Sequence, residues 1–137
     1  MTDIMPVTVM PVKTDEDVVR LRKHVRDTMV AIGFSLIEQT KVITAASELA
    51  RNTLRYGGGG EVSIHHIDEF DRKGVMLVFS DKGPGIEDIA LALTDGYTSG
   101  GGLGLGLSGA KRLVDEFELD TRVGEGTSVS IAKWKRY

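Results

Sequence analysis

Residues 98–109 read TSGGGLGLGLSG, and this glycine-rich run restricts the possible folds of the chain more than any other stretch of the sequence. Six of the 17 glycines in the 137-residue chain lie within these twelve positions. Residues 110–117, which follow directly, have the pattern of a helix. Glycine lets backbone N–H groups converge on a ligand because no Cβ intervenes, and the start of a helix adds unpaired N–H donors. The run therefore predicts a cradle for phosphate groups.

Three other interpretations of the run are weaker. A flexible linker would expose Leu103, Leu105 and Leu107, which are regularly placed. Residues 104–109 match the G-x-G-x-x-G of dinucleotide-binding proteins, but that motif follows a strand directly, and residues 93–100 do not have a strand pattern. The P-loop is absent because no glycine here precedes Lys-Ser or Lys-Thr.

Composition predicts one soluble domain over residues 1–137, since this length suffices for a single core. The net charge is −3 and the Lys and Arg residues are scattered, so we expect neither a nucleic-acid partner nor an anionic membrane. Cysteine is absent, which excludes disulfides and thiolate chemistry. No signal peptide or bilayer-length apolar segment is found, and we expect a cytoplasmic protein.

Apolar periodicity predicts an α+β protein, a two-layer α/β sandwich with a mostly antiparallel sheet and helices on one face. Strands are predicted at 4–12, 61–67, 75–79, 118–123 and 127–134, and helices at 15–31, 36–55 and 110–117, with a short helix beginning at Ile86. Thr14 with Asp17, and Ser35 with Glu38, predict capping boxes. Pro6 and Pro11 place the first strand at an edge of the sheet. The second helix has an apolar stripe, predicted to consist of Leu36, Ile43, Ala46, Ala50 and Leu54.

Two further groups of residues could bind a ligand or take part in catalysis. Glu48 and Asn52 are four residues apart on the second predicted helix and so share a face, roughly opposite the stripe. An Asn oxygen suits Mg²⁺, and a Glu can take a proton from a hydroxyl or a water. Asp81 ends the continuously apolar strand 75–79 and precedes a Gly-Pro-Gly turn, so its carboxylate needs a partner near the core. An exocyclic amine such as that of adenine would be a suitable donor. A solvated helix face and an ordinary turn are the alternatives.

In order, these motifs resemble the N, G1, G2 and G3 boxes of the GHKL ATPase and kinase superfamily, the Bergerat fold, over about residues 48–127. The segments 47–52 (SELARN), 95–104 (DGYTSGGGLG) and 111–117 (KRLVDEF) resemble the RsbT-type switch kinases of the bacterial stressosome. The related anti-sigma kinases of the RsbW and SpoIIAB type have an E-A-V-T-N pattern, from which Leu49-Ala50-Arg51 departs.

The resemblance implies an ATP site with Mg²⁺ as cofactor. Its binding residues would be Asn52, Asp81, Gly83, Gly85, Ile86, Thr98, Gly102, Gly104, Gly106, Leu107 and Thr127. Asp81 would accept from the adenine amino group, with Thr127 assisting through water. Asn52 would hold Mg²⁺, and Glu48 would be the catalytic general base. Gly83, Gly85 and Ile86 would line the base pocket, the backbone amides around Gly102, Gly104, Gly106 and Leu107 would hold the phosphates, and residues 93–104 would form a lid.

By the same resemblance, the protein is a serine/threonine kinase that phosphorylates STAS-domain scaffold or antagonist proteins of the stressosome. It would also switch partners and activate a phosphatase of the PP2C type by binding it. An anti-sigma kinase that binds a sigma factor and phosphorylates an anti-anti-sigma protein is the main alternative. A plain ATPase, or the catalytic domain of a histidine kinase, is the third.

Overall fold

Five antiparallel strands form one sheet in the order β1-β2-β3-β5-β4, and three helices occur in the part of the chain that is described. The computed structural model describes residues 2–88, 90, 93 and 103–136. The elements are β1 (Thr2–Val12), α1 (Asp15–Ile32), α2 (Leu36–Arg55), β2 (Gly60–Glu69), β3 (Arg72–Asp81), α3 (Leu103–Leu113), β4 (Glu116–Arg122) and β5 (Gly126–Trp134). The predicted α+β fold is confirmed; one domain over residues 1–137 stays a prediction.

The core lies between the helices and one face of the sheet. On β3, Val75, Leu77 and Phe79 alternate toward this inner face and are almost fully buried. They belong to the same apolar cluster as Leu21 of α1 and Leu49 of α2. The predicted central strand is therefore confirmed, and β1, with its two prolines, lies at an edge as predicted.

Local capping signals fix where α1 and α2 begin. The Thr14 hydroxyl accepts from the Asp17 N–H at 3.1 Å, and the Asp17 carboxylate accepts from the Thr14 N–H at 3.1 Å. Ser35 and Glu38 make the same reciprocal pair at 3.2 and 3.3 Å. Both predicted capping boxes are confirmed. The apolar stripe of α2 is confirmed except at its start, because Leu36 is 73% exposed in a first turn that lies outside the core.

The third helix differs from its prediction at both ends. It begins at Leu103 and ends at Leu113, whereas residues 110–117 were predicted. Gly104 and Gly106 inside a helix each cost about 1 kcal/mol relative to alanine, and the burial of Leu107 and Ala110 opposes that cost. Phe117 belongs to β4, where it pairs with Ile131. The spacing of the apolar residues up to Phe117 predicts a helix, but pairing with β5 places Phe117 in a strand.

The short helix predicted to begin at Ile86 does not begin there, since residues 86–88 have no helical conformation, whereas Ala90 is helical and residues 89, 91 and 92 lie outside the described residues. Hydrogen bonds to the neighbouring hairpin explain why the chain is not helical at Ile86. The Ile86 N–H donates to the Thr121 hydroxyl of β4 at 2.9 Å, and the carbonyl of Pro84 accepts from Gly124 at 2.8 Å. Within the described residues, no helix combines the length and the apolar character needed to cross a membrane.

Candidate functional site

A cavity opens between α2, the inner face of the sheet and α3. Its volume is about 110 Å³, and it opens to solvent. The residues that line it are Leu49, Asn52, Thr53, Tyr56, Gly57, Phe79, Asp81, Pro84, Gly85, Ile86, Leu107, Thr127 and Val129. Six of the twelve residues predicted for the site are among them.

The register of the sheet aligns the polar residues of this cavity. Asp81 at the end of β3 pairs directly with Thr127 of β5, and Thr127 pairs with Thr121 of β4. On the other side, Asp81 pairs with Gly60 of β2. These residues form one row across four strands, in line with the inward-facing residues of the core. The row places a carboxylate and two hydroxyl groups at the end of an otherwise apolar face.

The carboxylate of Asp81 is held by two backbone donors, one from the loop after β3 and one from β5. Its Oδ1 accepts from the N–H of Gly83 at 2.9 Å and from the N–H of Thr127 at 3.3 Å. Gly57 lies against the same carboxyl group so closely that a Cβ there would overlap it, and a Cβ on Gly83 would lie 2.7 Å from the Cα of Gly57. Gly83 therefore acts by fixing Asp81, and it does not line the cavity.

Loop 83–86 is fastened to the hairpin between β4 and β5. Besides the bonds made by Ile86 and Pro84, Gly85 has φ +78° and lies where a Cβ would overlap the carbonyl of Arg122. Glycine is required there for both its conformation and its space. The predicted wall residues Gly85 and Ile86 are thus positioned by β4.

Two polar groups at the cavity have no hydrogen-bond partner among the described residues. They are the Nδ2 of Asn52 and the hydroxyl of Tyr56, both fully buried atoms. Buried polar groups are normally paired, and unpaired ones at a cavity wall call for a ligand. The end of α2 therefore offers hydrogen bonds that the protein itself does not use.

Glu48 lies one turn before Asn52 on α2 and does not line the cavity. Its side chain is 42% exposed, and its Oε1 is 3.2 Å from a guanidinium nitrogen of Arg51. A half-exposed carboxylate with one flexible partner can reorient and accept a proton from a group that enters from solvent.

The glycine-rich run enters the site through α3. The side chain of Leu107 is almost fully buried and lines the cavity. Unpaired N–H groups belong to the first turn of a helix, which includes Gly104, whereas Gly106 and Leu107 lie beyond the first three residues. Leu107 thus contributes an apolar contact, which differs from its predicted role as an amide donor. Thr98, Gly102 and most of the predicted lid lie outside the described residues.

Several lining residues were missed by the sequence interpretation, although simple spacing could have found three. Tyr56 is four residues after Asn52 on the same helix face, Phe79 is two residues before Asp81, and Val129 is two residues after Thr127. Thr121, which lies behind the cavity and does not line it, has no such signal. Its place depends on the pairing of β4 with β5.

The described residues do not form a metal cage of their own, since they contain no cluster of three or more His, Asp or Glu side chains in ligating positions. Magnesium usually takes one or two protein oxygens and completes its shell with water and phosphates. The carboxamide oxygen of Asn52 is a ligand of that kind, whereas its unpaired atom, Nδ2, can only donate a hydrogen bond, for example to a phosphate oxygen.

Residues 37–136 match the family model described as histidine kinase-, DNA gyrase B- and HSP90-like ATPase. The chain is 42% identical over 125 residues to the serine/threonine-protein kinase RsbT of Bacillus subtilis (strain 168), covering 91% of this chain and 94% of that protein. It is 34% identical over 101 residues to the anti-sigma F factor of Clostridium novyi (strain NT), covering 70% of this chain and 71% of that protein.

Solved structures share the fold. The RsbU and RsbW domains of Rv1364c from Mycobacterium tuberculosis superpose with a TM-score of 0.65 at 18% identity, over 97% of this chain and 34% of that chain. The mycobacterial sensor histidine kinase MprB gives a TM-score of 0.58 at 21% identity, over 96% and 99%. The chain belongs to the histidine kinase-, DNA gyrase B- and HSP90-like ATPases, and within that family it is a serine/threonine protein kinase related to RsbT.

Proposed function

We propose that the cavity binds the adenine and phosphates of ATP and that the chain transfers the terminal phosphoryl group to a serine or threonine of a partner protein. One observation carries the proposal. The braced carboxylate of Asp81 and the unpaired amide of Asn52 face one cavity whose remaining walls are largely apolar. Such a cavity suits a flat base with a polar edge, attached to a polar tail.

The base end of this site is the row on the sheet. The Oδ1 of Asp81 is occupied by two backbone N–H groups, which leaves Oδ2 to accept from the adenine amino group. Thr127 assists through a water, and Gly85, Ile86 and Leu107 enclose the ring. We propose that Gly83 keeps the carboxylate in place.

The phosphate end lies between α2 and the first turn of α3. The carboxamide oxygen of Asn52 would hold Mg²⁺, which would neutralise part of the charge of the phosphates. Backbone N–H groups at the start of α3, including that of Gly104, hold the phosphate oxygens. Thr98, Gly102 and Gly106 remain proposed members of this phosphate site.

Glu48 acts as the general base. The acceptor hydroxyl oxygen bonds to the terminal phosphorus while the bond from that phosphorus to the bridging oxygen breaks, and ADP leaves. The proton of the hydroxyl passes to the carboxylate of Glu48. Since phosphoryl transfer depends mostly on positioning and charge neutralisation, one base and one metal with an amide cradle are sufficient.

For the partner, we propose a STAS-domain scaffold or antagonist protein and, after release, a phosphatase of the PP2C type. The likeness to RsbT over almost the whole length of both proteins supports this choice. An anti-sigma kinase is the second candidate, because a named anti-sigma F factor is 34% identical over 101 residues.

The test is incubation of the chain with γ-labelled ATP, Mg²⁺ and a purified STAS-domain protein, followed by mass spectrometry of the acceptor. We expect one phosphorylated serine or threonine in the STAS protein and no stable complex with a sigma factor in a parallel pull-down. Hydrolysis of ATP with no labelled acceptor would contradict the kinase assignment. Capture of the sigma factor would support the second candidate instead.

A further inference from the structure

The hydroxyl group of Thr121 on β4 lies behind the cavity and contacts three groups. It accepts from the N–H of Ile86 at 2.9 Å. It is 3.2 Å from the carbonyl oxygen of Gly126 and 2.9 Å from the hydroxyl oxygen of Thr127. Thr121 does not line the cavity, whereas Thr127 and Ile86 do. Any effect of Thr121 on a ligand must therefore pass through these two residues.

Counting hydrogens decides the direction of the bond between the two hydroxyl groups. A hydroxyl has one hydrogen to donate and two lone pairs. The carbonyl of Gly126 can only accept, so the hydrogen of Thr121 goes to it. The contact between the hydroxyl groups then requires Thr127 to donate, which uses the second lone pair of Thr121. As a result, Thr127 presents only lone pairs to the cavity.

The neighbouring group in the row has the same polarity. The ionised carboxylate of Asp81 also only accepts hydrogen bonds, and it pairs directly with Thr127 across the sheet. Two adjacent acceptors match a ligand edge that carries hydrogens, such as a ring amino group. They disfavour an edge that carries a carbonyl oxygen, because neither residue has a hydrogen for it, and a water whose two hydrogens go to Asp81 and Thr127 has only lone pairs left for the ligand.

We propose that Thr121 is a positioning residue that sets base specificity: by taking the hydrogen of Thr127, it makes the cavity select purines with a 6-amino group over purines with a 6-oxo group. This inference rests on the proposed function, since it requires a purine nucleotide in the cavity. Removal of the Thr121 hydroxyl frees Thr127 to rotate and donate, so the rejection of a 6-oxo group weakens.

The experiment measures the binding of ADP and of inosine diphosphate by titration calorimetry, so it does not depend on phosphoryl transfer. We expect the wild type to prefer ADP. Thr121→Val reduces the ratio of the two affinities by about tenfold, the effect of about one hydrogen bond. Thr121→Ser keeps the hydroxyl and retains the wild-type ratio. Ser128→Ala removes a hydroxyl from the opposite face of β5 and also leaves the ratio unchanged.

Thr127→Val tests the same inference in a second way, because it removes the hydroxyl group whose orientation Thr121 fixes. It lowers the ratio at least as much as Thr121→Val does, and the two substitutions together lower it no further. An equal loss of both affinities in Thr121→Val, or an unchanged ratio in Thr127→Val, overturns the inference. Failure of the wild type to bind either nucleotide contradicts the proposed function instead.

Discussion

Two carboxylates of the site are held in opposite ways. Asp81 is fixed by backbone N–H groups of Gly83 and Thr127 and lies against Gly57. Glu48 is half-exposed, and its partner is the side chain of Arg51. Backbone donors have almost no freedom, whereas a surface ion pair between long side chains rearranges easily. The rigid carboxylate of Asp81 therefore suits recognition of a ligand, and the adaptable carboxylate of Glu48 suits a step in which a proton moves.

Neutralisation of Glu48 should reduce phosphoryl transfer more than any other change considered below. Glu48→Gln keeps the size of the side chain but cannot take up the substrate proton, so the turnover number for transfer should fall by about 10² to 10⁴. The affinity for ATP should not change, because Glu48 does not line the cavity. Initial rates with a STAS acceptor and a separate ATP titration measure the two quantities.

Glu16→Gln is the matched control for this prediction. Glu16 is an exposed acid on α1 with a side chain 84% exposed, and it pairs with an arginine as Glu48 does. Its neutralisation should leave transfer unaffected. Undiminished transfer in Glu48→Gln would end the assignment of Glu48 as the base.

The second largest effect concerns the rigid carboxylate. Asp81→Asn can retain both backbone bonds through its amide oxygen, but it turns the remaining acceptor into a donor. We expect ADP to bind about 10- to 100-fold more weakly, as for the loss of a hydrogen bond to a charged group. Inosine diphosphate, which offers an oxygen at the same position, should lose much less. Equal losses for both nucleotides would show that Asp81 does not contact the base edge.

A smaller effect is expected from the ion pair that holds Glu48. Arg51→Met should reduce the rate of transfer about two- to fivefold, in keeping with the modest value of exposed ion pairs, while ATP affinity stays constant. Arg51→Lys should restore most of the rate. Because salt screens such pairs, the gap between wild type and Arg51→Met should narrow at high ionic strength. A gap that does not depend on salt would contradict this role.

A third carboxylate extends the comparison to stability. The pKa of Asp17 is lowered below its usual value of 3.8, chiefly by the backbone N–H of Lys13, with further help from Thr14 and Arg20 and against the effect of burial. A lowered pKa in the folded state stabilises the protein above the unfolded pKa, and this contribution is lost as the pH falls through the folded value.

The smallest effect is therefore expected from Asp17→Asn, and on stability alone. Urea unfolding should show a loss of stability at pH 7 that shrinks as the pH falls below about 3.8, with ATP affinity at pH 7 unchanged. A stability difference that stays constant from pH 7 to pH 3 would argue that the loss is one of packing.

Features encoded by neighbouring residues could be predicted from the sequence. The capping boxes depend on side chains three residues apart, so α1 and α2 begin where Thr14 and Ser35 indicate. Asp81 was expected at the end of a central strand because a continuous apolar run precedes it, and it lies there. The shared helix face of Glu48 and Asn52 follows from helix geometry alone.

Features that depend on strand pairing could not be predicted in the same way. The row of Asp81, Thr127 and Thr121 exists because β3, β5 and β4 pair in one particular register. The ends of α3 also depend on partners, since Phe117 satisfies a helical period and a strand period equally well. Pairing with β5 makes Phe117 part of a strand, and the residues next to Phe117 in the sequence do not show that this pairing will form.

We propose that one cavity binds the nucleotide and that the rigid carboxylate of Asp81 faces its base. Titration of the isotopically labelled protein with ADP, followed by amide proton–nitrogen NMR spectra, tests it most directly. We expect the largest shifts at the amides of Gly57, Gly83, Ile86 and Thr127, and the loss of these shifts in Asp81→Asn. Saturable binding that leaves these four amides unshifted would contradict it.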